Sequence, residues 1–330
     1  MDPQSVFITG GSGYVGRNLV RAFRDRGFRV AALARSQRSM DVVAELGAEP
    51  KRGDLLDEAA LVEGCRGSAL VVHAAADTNH AEGTPEQERI NVEGTRNVMR
   101  AARAAGVPRA IHISTEAVLA DGRPLRSVDE SHPIPEKHAG GYSRTKAAAE
   151  RAALEENKDG LDVIVLRPRF VWGRDDTTAL PQLVEAARNG KLKWIDGGRY
   201  RTSTTHVANL AEGVFAAAER GRGGEVYFVT DGEPVEFRHF ITKLLETRGV
   251  AAPGGSVPRF AVRAAVEVGS LLSKLTGGRL RPPLSRQEYA TLAHEVTLRD
   301  DKARRELGYR PVITVEEGLQ ELRQPPWLQE

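Results

Sequence analysis

The residues best suited to chemistry in this 330-residue chain are a tyrosine and a lysine four positions apart, Tyr142 and Lys146. On a helix, residues i and i+4 lie on one face, so the phenol and the ammonium can converge on a single point. A tyrosine with its ordinary pKa of about 10 is a poor base at neutral pH, and a neighbouring ammonium lowers that pKa. The pair therefore indicates proton transfer to or from an oxygen atom, although the same spacing also occurs on ordinary surface helices.

A glycine-rich turn near the start of the chain indicates a binding site for phosphates. The apolar run 6–9 leads into Gly10, Gly13 and Gly16, and a helical apolar pattern follows at once. The first glycine allows a tight turn, the second lets backbone approach a pyrophosphate, and the third lets helix pack closely on strand. The helix N-terminus then offers free N–H groups and the positive end of its dipole. A plain glycine turn between a strand and a helix is the alternative.

The motifs together carry a family resemblance. The spacing Gly-x-x-Gly-x-x-Gly differs from the Gly-x-Gly-x-x-Gly of the general dinucleotide fingerprint. With Thr9 before it, Asn-Val-Glu-Gly-Thr at 91–95 and the pair Tyr142 and Lys146, the chain resembles the extended short-chain dehydrogenase/reductase superfamily, also called the NAD(P)-dependent epimerase/dehydratase family. The stretch 179–192 is similar to its 3-beta-hydroxysteroid dehydrogenase and dihydroflavonol reductase branch.

The elements that must position these groups alternate between strand and helix, which predicts an α/β fold. We expect a Rossmann-type doubly wound parallel sheet with a smaller C-terminal substrate lobe. Residues 1–170 form the expected NADP-binding domain, with a strand near 225–230 rejoining its sheet, and 171–330 form mainly the substrate lobe. Proline and glycine make 121–141 an irregular active-site rim without an element. Further strands are predicted at 28–34, 49–52, 69–73, 109–115 and 162–167, and helices at 85–106, 142–157, 177–190 and 234–249.

The resemblance implies a catalytic role for four residues. Tyr142 donates or removes the proton, and Lys146 stabilises its phenolate and reaches the nicotinamide ribose. Thr115, at the end of a predicted strand, polarises the substrate carbonyl, with Ser114 as the alternative on the opposite strand face. Asn91 lies beneath the active site and fixes backbone near the catalytic residues, unless it belongs to an exposed polar helix face.

The end of the second predicted strand indicates which cofactor is preferred. An NAD enzyme usually places a carboxylate there for the ribose 2′-hydroxyl, whereas this chain has Arg35, Ser36 and Arg38. A guanidinium pairs a 2′-phosphate bidentately, so NADP(H) is favoured over NAD(H), with a solvated surface arginine as the alternative. By resemblance, Asp54 and Leu55 meet the adenine, although Asp54 is also placed to cap a helix. The predicted cofactor-binding residues are Gly10, Gly13, Tyr14, Val15, Gly16, Arg35, Ser36, Arg38, Asp54, Leu55, Ala74, Ala75, Ala76, Tyr142, Lys146, Pro168, Phe170 and Val171.

Three functions are compatible with these residues. The favoured one is an NADP(H)-dependent oxidoreductase that interconverts a ketone and a secondary alcohol on a bulky, apolar, hydroxysteroid- or flavonoid-like substrate. A nucleotide-sugar epimerase or dehydratase is the alternative. In those enzymes an arginine binds the diphosphate, four residues before the histidine that matches His206. In this chain that position is Thr202, and the nearest arginine, Arg201, is one residue away. A non-catalytic NADP-sensing regulator is the third, and such proteins usually lack the Tyr–Lys pair.

Composition limits the remaining possibilities. A net charge of +2 and 5% aromatic residues give no reason to expect nucleic acid as a partner. The single cysteine, Cys65, excludes an internal disulfide, and with a first strand directly after the N-terminus it favours a cytoplasmic protein. We see no metal-binding spacing and no transmembrane segment; 260–275 is predicted as an amphipathic helix packed over the substrate pocket rather than on a membrane surface. By resemblance, 85–106 and 142–157 form the interface of a homodimer, and burial of these helix faces within one chain is the alternative.

Overall fold

The computed structural model describes residues 4–79, 83–276, 282 and 284–323. Its strands are β1 Ser5–Thr9, β2 Arg29–Ala34, β3 Glu49–Arg52, β4 Leu70–His73, β5 Arg109–Ile113, β6 Leu125–Val128, β7 Asp162–Pro168, β8 Val171–Trp172, β9 Trp194–Ile195, β10 Arg201–Thr202, β11 Thr205–His206, β12 Val226–Val229, β13 Val235–Glu236, β14 Ser256–Val257 and β15 Val296–Leu298. Its α-helices are α1 Tyr14–Asp25, α2 Gln37–Glu45, α3 Glu58–Cys65, α4 Pro85–Glu88, α5 Gly94–Ala104, α6 Gly141–Leu154, α7 Ala179–Arg188, α8 Val207–Arg220, α9 Phe237–Glu246, α10 Arg259–Leu275, α11 Arg286–Leu292 and α12 Val315–Arg323.

Seven strands form one sheet in the order β12-β7-β5-β4-β1-β2-β3. Every pairing in it is parallel. Strand order reverses between β1 and β4, which is the switch point where doubly wound sheets bind dinucleotides. The predicted α/β, doubly wound parallel sheet is thereby confirmed. The strand β12 pairs with β7, with Val226 opposite Val165.

Helices cover both faces of this sheet, which is why its strands are apolar on both sides. On one face α1, α2 and α8 pack through buried residues that include Leu19, Val43 and Val214. On the other face α3 and α5 pack through Leu61 and Val98, and α6 joins them. The carboxyl ends of the strands are therefore held in place by helices packed on both faces of the sheet.

A second, four-stranded sheet has the order β13-β10-β15-β6. Its strand β6 lies in 121–141, so the prediction of a rim without any element was wrong. Leu125 stands opposite Val296 in a parallel pairing of β6 with β15. Because the partner strand is so distant in sequence, no local pattern marks the pairing. A further hydrophobic cluster in the C-terminal half of the chain combines aromatic side chains, among them Trp172, Trp194 and Phe240, with leucines and other aliphatic residues.

The helix predicted as continuous over 85–106 is interrupted. After α4 the chain forms a π-helical turn at Arg89–Glu93, and α5 begins at Gly94. A π-turn inserts an extra residue into a helix and is frequent at functional sites. Asn91 lies within it and is buried.

The helix α10 forms as predicted, but only one of its faces is packed. Val266 is buried against Tyr289, whereas Phe260 and Leu275 are 77% and 74% exposed. The expectation of a packed helix was therefore wrong for the other face, because apolar periodicity does not say whether a face is covered. In the described ranges no helix combines the length and the apolar character needed to cross a membrane.

Candidate active site

The glycine turn forms a cradle between β1 and α1. Gly10 has a φ of +75°, and a Cβ added there would lie 2.7 Å from the backbone nitrogen of Ala75. A Cβ on Gly16 would lie 1.9 Å from the carbonyl oxygen of Gly10. Gly13 precedes α1, and among the described residues no side chain caps that helix. Its first-turn N–H groups therefore remain available to a phosphate, and the cradle fits the pyrophosphate of a dinucleotide.

The side chains of Tyr14 and Val15, both predicted to bind cofactor, are used for packing. Val15 packs against the apolar core. Tyr14 is buried, and this burial, followed by the carboxylates of Asp176 and Asp175, raises the pKa of its phenol. What these two residues offer to a phosphate is thus their backbone in the first turn of α1.

The predicted adenosine end of the cleft is exposed. The Arg35 side chain is 77% exposed, and its Nη1 lies 3.7 Å from Oδ2 of Asp54. Oδ1 of Asp54 accepts a hydrogen bond from the backbone of Leu56 at 3.1 Å. The cap of α3 is Asp57, so the alternative role of Asp54 as that cap is excluded. Arg35 and Asp54 remain on the solvent side of the β2 end.

The other residues predicted near the adenosine lie around this pair. Ser36 caps α2 through its hydroxyl, and Arg38 is exposed in the first turn of that helix. Leu55 packs so closely on Gly94 that a Cβ there would be 3.0 Å from the Leu55 side chain. The alanines 74–76 follow β4 directly, and they are partly exposed beside the glycine turn.

Tyr142 and Lys146 lie one turn apart at the start of α6. The Lys146 ammonium donates a hydrogen bond to the carbonyl oxygen of Ile113, at the end of β5, at 2.9 Å. Burial lowers the pKa of Lys146 to about 8, and the nearby Glu150 carboxylate opposes that shift. The lysine is therefore held at the carboxyl edge of the central sheet, and its ammonium loses a proton more readily than that of an ordinary lysine.

The Tyr142 phenol is hydrogen-bonded to the side chain of Thr115. Burial, followed by the carboxylate of Glu116, raises the pKa of this phenol, and the bond to Thr115 acts in the opposite direction. Ser114 points elsewhere, because its hydroxyl donates to Oε2 of Glu150 at 2.7 Å. Of the two hydroxyls at the end of this strand, the structure brings Thr115 to the tyrosine.

Sequence reasoning missed a buried ion pair behind Thr115, formed by Glu116 and Arg169. Oε2 of Glu116 accepts the Thr115 hydroxyl proton at 2.8 Å. Arg169 also donates to the hydroxyl of Thr202 and to the carbonyl of Thr291, both at 3.0 Å. The pair thus connects the Thr115 hydroxyl to β10 and α11. The available signal was a carboxylate directly after the candidate hydroxyl.

A second buried ion pair stands behind Lys146. Nε of Arg167 donates to Oε2 of Glu150 at 2.9 Å, and the terminal Nη2 reaches the other carboxylate oxygen. Ser114 shares Oε2 of the same carboxylate. A bidentate, hydrogen-bonded pair of this kind holds both partners in one geometry, so Glu150 is a fixed negative charge one turn below the lysine.

Asn91 holds the backbone near the site. Its Oδ1 accepts from the backbone N–H of Asp77 at 2.7 Å, and its Nδ2 donates to the Asp77 carbonyl at 3.0 Å. Nδ2 also donates to the Thr145 hydroxyl at 3.1 Å. The side chain therefore joins the segment after β4 to α6, and the alternative of an exposed polar helix face is excluded.

His73, at the end of β4, belongs to the packing beneath the cleft. Its two ring nitrogens bond to the hydroxyls of Thr9 at 2.6 Å and Thr95 at 2.9 Å. Burial, followed by the charge of Lys146, lowers the pKa of His73 to about 3. The imidazole is therefore neutral and structural at neutral pH.

The segment predicted to face the nicotinamide leaves the sheet at the end of β7. Pro168 is the last residue of that strand, and Phe170 has a φ of +42°. The Phe170 ring packs edge-on against Phe240 at 5.7 Å between centroids, and Val171 pairs with Thr205. The Phe170 side chain therefore packs on the hydrophobic cluster that contains Phe240.

Comparison with known proteins places this geometry in a family. Residues 7–259 match the model of the 3-beta hydroxysteroid dehydrogenase/isomerase family. A 4-hydroxy-2-methyl-3-oxo-4-farnesyl-3,4-dihydroquinoline-1-oxide ketoreductase of Stigmatella aurantiaca is 52% identical over 96% of this chain and 95% of its own. A decarboxylating sterol-4-alpha-carboxylate 3-dehydrogenase of Dictyostelium discoideum is 31% identical over 97% of this chain and 100% of its own.

Solved structures share the fold. The crystal structure of gox2253 superimposes with a TM-score of 0.77, at 29% identity, over 99% of both chains. A dTDP-glucose 4,6-dehydratase from Streptomyces venezuelae, solved with NAD, has a TM-score of 0.75 over 97% of this chain and 96% of its own. Its identity of 24% supports the fold alone.

Proposed function

Because this chain belongs to the 3-beta hydroxysteroid dehydrogenase/isomerase family, we propose that it reduces a ring ketone on a bulky, apolar substrate to the secondary alcohol with NADPH. It is an NAD(P)-dependent dehydrogenase/reductase that acts on hydroxyl or keto groups. The observation that carries the proposal is the hydrogen bond between the Tyr142 phenol and Thr115, with Lys146 on the same helix at the edge of the sheet.

The glycine cradle at one end and α6 at the other would hold the nicotinamide cofactor. When bound, it supplies or accepts the hydride. Gly10, Gly13 and Gly16 leave room for the pyrophosphate, which the N–H groups of α1 bind. Lys146 takes the ribose hydroxyls through an ammonium already anchored on Ile113.

The proton is carried by the tyrosine. In reduction, Tyr142 donates its phenolic proton to the carbonyl oxygen. Thr115 positions that oxygen by a hydrogen bond, for which its single hydroxyl proton turns from Glu116 to the substrate. In oxidation the phenolate takes the proton of the alcohol. Lys146 supports this step because a nearby positive charge favours the phenolate. Glu116 acts against it, since its negative charge favours the protonated phenol.

The preference for NADPH rests on Arg35. Its side chain is mostly exposed at the end of β2, and its contact with Asp54 is long, at 3.7 Å. An exposed guanidinium of this kind is free to turn toward a 2′-phosphate, and it costs little to break a long surface ion pair. Arg38 lies in the first turn of α2, just after Arg35, and adds a second positive charge.

The substrate class is inferred from the relatives and from the second lobe. The Stigmatella relative is named for a farnesyl-bearing quinoline oxide, and the Dictyostelium relative for a sterol. The arginine expected in a nucleotide-sugar enzyme is also missing from its place. Thr202 is buried and bonded to Arg169, while Arg201 is exposed and bonded to the carbonyl of Pro234.

The test is an oxidation screen of NADPH and NADH with apolar ring ketones, run beside nucleotide sugars. NADPH consumption with a steroid-like or prenylated quinoline ketone is expected, and Tyr142→Phe should abolish it. Conversion of a nucleotide sugar without net loss of NADPH would instead identify an epimerase or dehydratase. Cofactor binding without turnover of any carbonyl or alcohol would identify a sensor.

A further inference from the structure

Helix α10 carries an unusual share of exposed apolar surface. In the part of the chain that the structure describes, six large apolar side chains are exposed, and five of them lie on this helix. They are Phe260 at 77%, Val268 at 58%, Leu271 at 59%, Leu272 at 41% and Leu275 at 74%. The sixth, Val312, is 61% exposed and lies elsewhere. Surface apolar residues are common singly, whereas a contiguous set marks an interaction site.

The five side chains form one stripe along the helix. Their spacings from Phe260 are 8, 11, 12 and 15 residues, which a period of 3.6 places within about a third of the circumference. We call this surface the apolar stripe. The opposite face is the packed one, where Val266 is buried against the cluster of Tyr289 and Ile195. The helix is therefore held by the fold with its apolar stripe outward.

The sequence of the same region is rich in basic residues. From 259 to 286 the sequence contains six basic residues and one acidic residue, namely Arg259, Arg263, Lys274, Arg279, Arg281 and Arg286 against Glu267. Arg259 pairs with Asp196 and Arg286 with Glu267. Arg263 is exposed, and Ala264, one residue further, continues the exposed surface of the helix.

Helix α10, which carries the apolar stripe, is also connected to the candidate active site. Helix α10 packs on α11, and Gln287 of α11 accepts hydrogen bonds from the backbone and hydroxyl of Ser143, at 3.2 and 2.6 Å. Ser143 directly follows Tyr142. On the same helix α11, the Thr291 carbonyl accepts from Arg169. Helix α10 is therefore joined through α11 to the residue that follows Tyr142 and to Arg169.

We propose that α10 docks the protein on an anionic lipid surface, with the apolar stripe inserted among the acyl chains near the headgroups. An interfacial helix has this combination of an apolar face and basic residues, and its affinity adds apolar burial to electrostatic attraction. Uptake of an apolar ketone directly from the bilayer would follow, and that consequence alone rests on the proposed function.

The test is co-sedimentation of the full chain with vesicles, which needs no substrate and so fails independently of the reductase activity. The vesicles are made of phosphatidylcholine, with or without about 30% phosphatidylglycerol. Wild type is expected to sediment with the anionic vesicles and to be released by high salt. Phe260→Ser/Leu271→Ser/Leu275→Ser should lower the partition coefficient at least about tenfold. The matched control Val312→Ser removes an equally exposed apolar side chain and should sediment like wild type.

A second variant guards against loss of folding in the triple one. Arg263→Gln leaves the apolar stripe intact and is expected to weaken binding to anionic vesicles about fivefold. Three results overturn the proposal: wild type that stays in the supernatant, equal loss in Val312→Ser, or equal binding to vesicles without phosphatidylglycerol. A wild-type dimer that the triple variant converts to a monomer, by light scattering, also overturns it, because the stripe would then bind a second copy.

Discussion

The proposed cofactor cleft has two ends, one catalytic and one adenosine-binding, and they are built in different ways. At the catalytic end Lys146, Thr115 and Asn91 are buried, and each is already hydrogen-bonded to protein. At the adenosine end Arg35 and Asp54 are 77% and 39% exposed and meet at 3.7 Å. The difference teaches that the fold holds the proposed catalytic side chains in place in advance, whereas the proposed selection of the cofactor falls to side chains that solvent still reaches.

The same contrast holds for ion pairs. Arg167 and Glu150 are 4% and 2% exposed and form a bidentate pair, unlike the single long contact between Arg35 and Asp54. Removing one partner of a buried pair leaves an uncompensated charge, and an exposed pair contributes little because water screens it. Substitutions at the two ends should therefore separate into effects on chemistry and stability, and effects on cofactor preference.

The largest effect is expected from Tyr142→Phe, which removes the proposed proton donor and little volume. Ketone reduction should fall by about 10³-fold or more in kcat, since general acid catalysis contributes 10²–10⁴-fold. Cofactor affinity, measured by fluorescence titration, should change less than about threefold. Tyr227→Phe is the control, because that hydroxyl bonds to Glu306. Near-normal turnover in Tyr142→Phe would remove this residue from the mechanism.

Arg167→Met breaks the pair behind Lys146 and strands the Glu150 carboxylate in the interior. The free energy of unfolding should fall by about 3–5 kcal/mol, measured by urea denaturation at neutral pH. Arg35→Met breaks the exposed pair and should change the free energy of unfolding by less than about 1 kcal/mol. Equal losses in the two variants would contradict the contrast between the ends.

Glu116→Gln tests whether the missed carboxylate acts on the tyrosine. Burial and then Glu116 raise the pKa of Tyr142, and glutamine keeps the size and the acceptor for Thr115 while removing the charge. The phenolate becomes easier to form, so the rising limb of kcat/KM against pH for alcohol oxidation should move to lower pH. The residual profile of Tyr142→Phe should not move when Glu116→Gln is added. An unshifted limb would mean that Glu116 only supports Thr115.

The parts of the fold and site that sequence predicts are those with a local cause. The glycine turn, the strand bounds at 49–52 and the placement of Tyr142 and Lys146 one turn apart on a helix follow from spacing over a few residues. The strand β6 does not, because its partner β15 lies far along the chain and, of its four residues, only Leu125 is fully buried.

The supporting groups of the site were hidden for the same reason. Glu116 and Arg169 meet only after β5 and β7 become neighbours in the sheet. The π-turn at 89–93 depends on bonds from Asn91 to the backbone of Asp77, which a helical pattern cannot show. Apolar periodicity found α10, but coverage of its faces depends on α11.

Arg35→Asp is expected to have the smallest effect on stability and the largest effect on cofactor preference. A carboxylate at the end of β2 repels a 2′-phosphate and accepts from a 2′-hydroxyl, so the ratio of kcat/KM for NADPH to that for NADH should fall about tenfold or more. Stability should hardly change, because Arg35 is exposed and its ion pair long. Arg66→Asp is the control, since it reverses a charge on an exposed helix end, where Arg66 pairs only with Glu63 among the described residues. If the ratio moves equally in both variants, the effect comes from net charge and the adenosine end does not select the cofactor through Arg35.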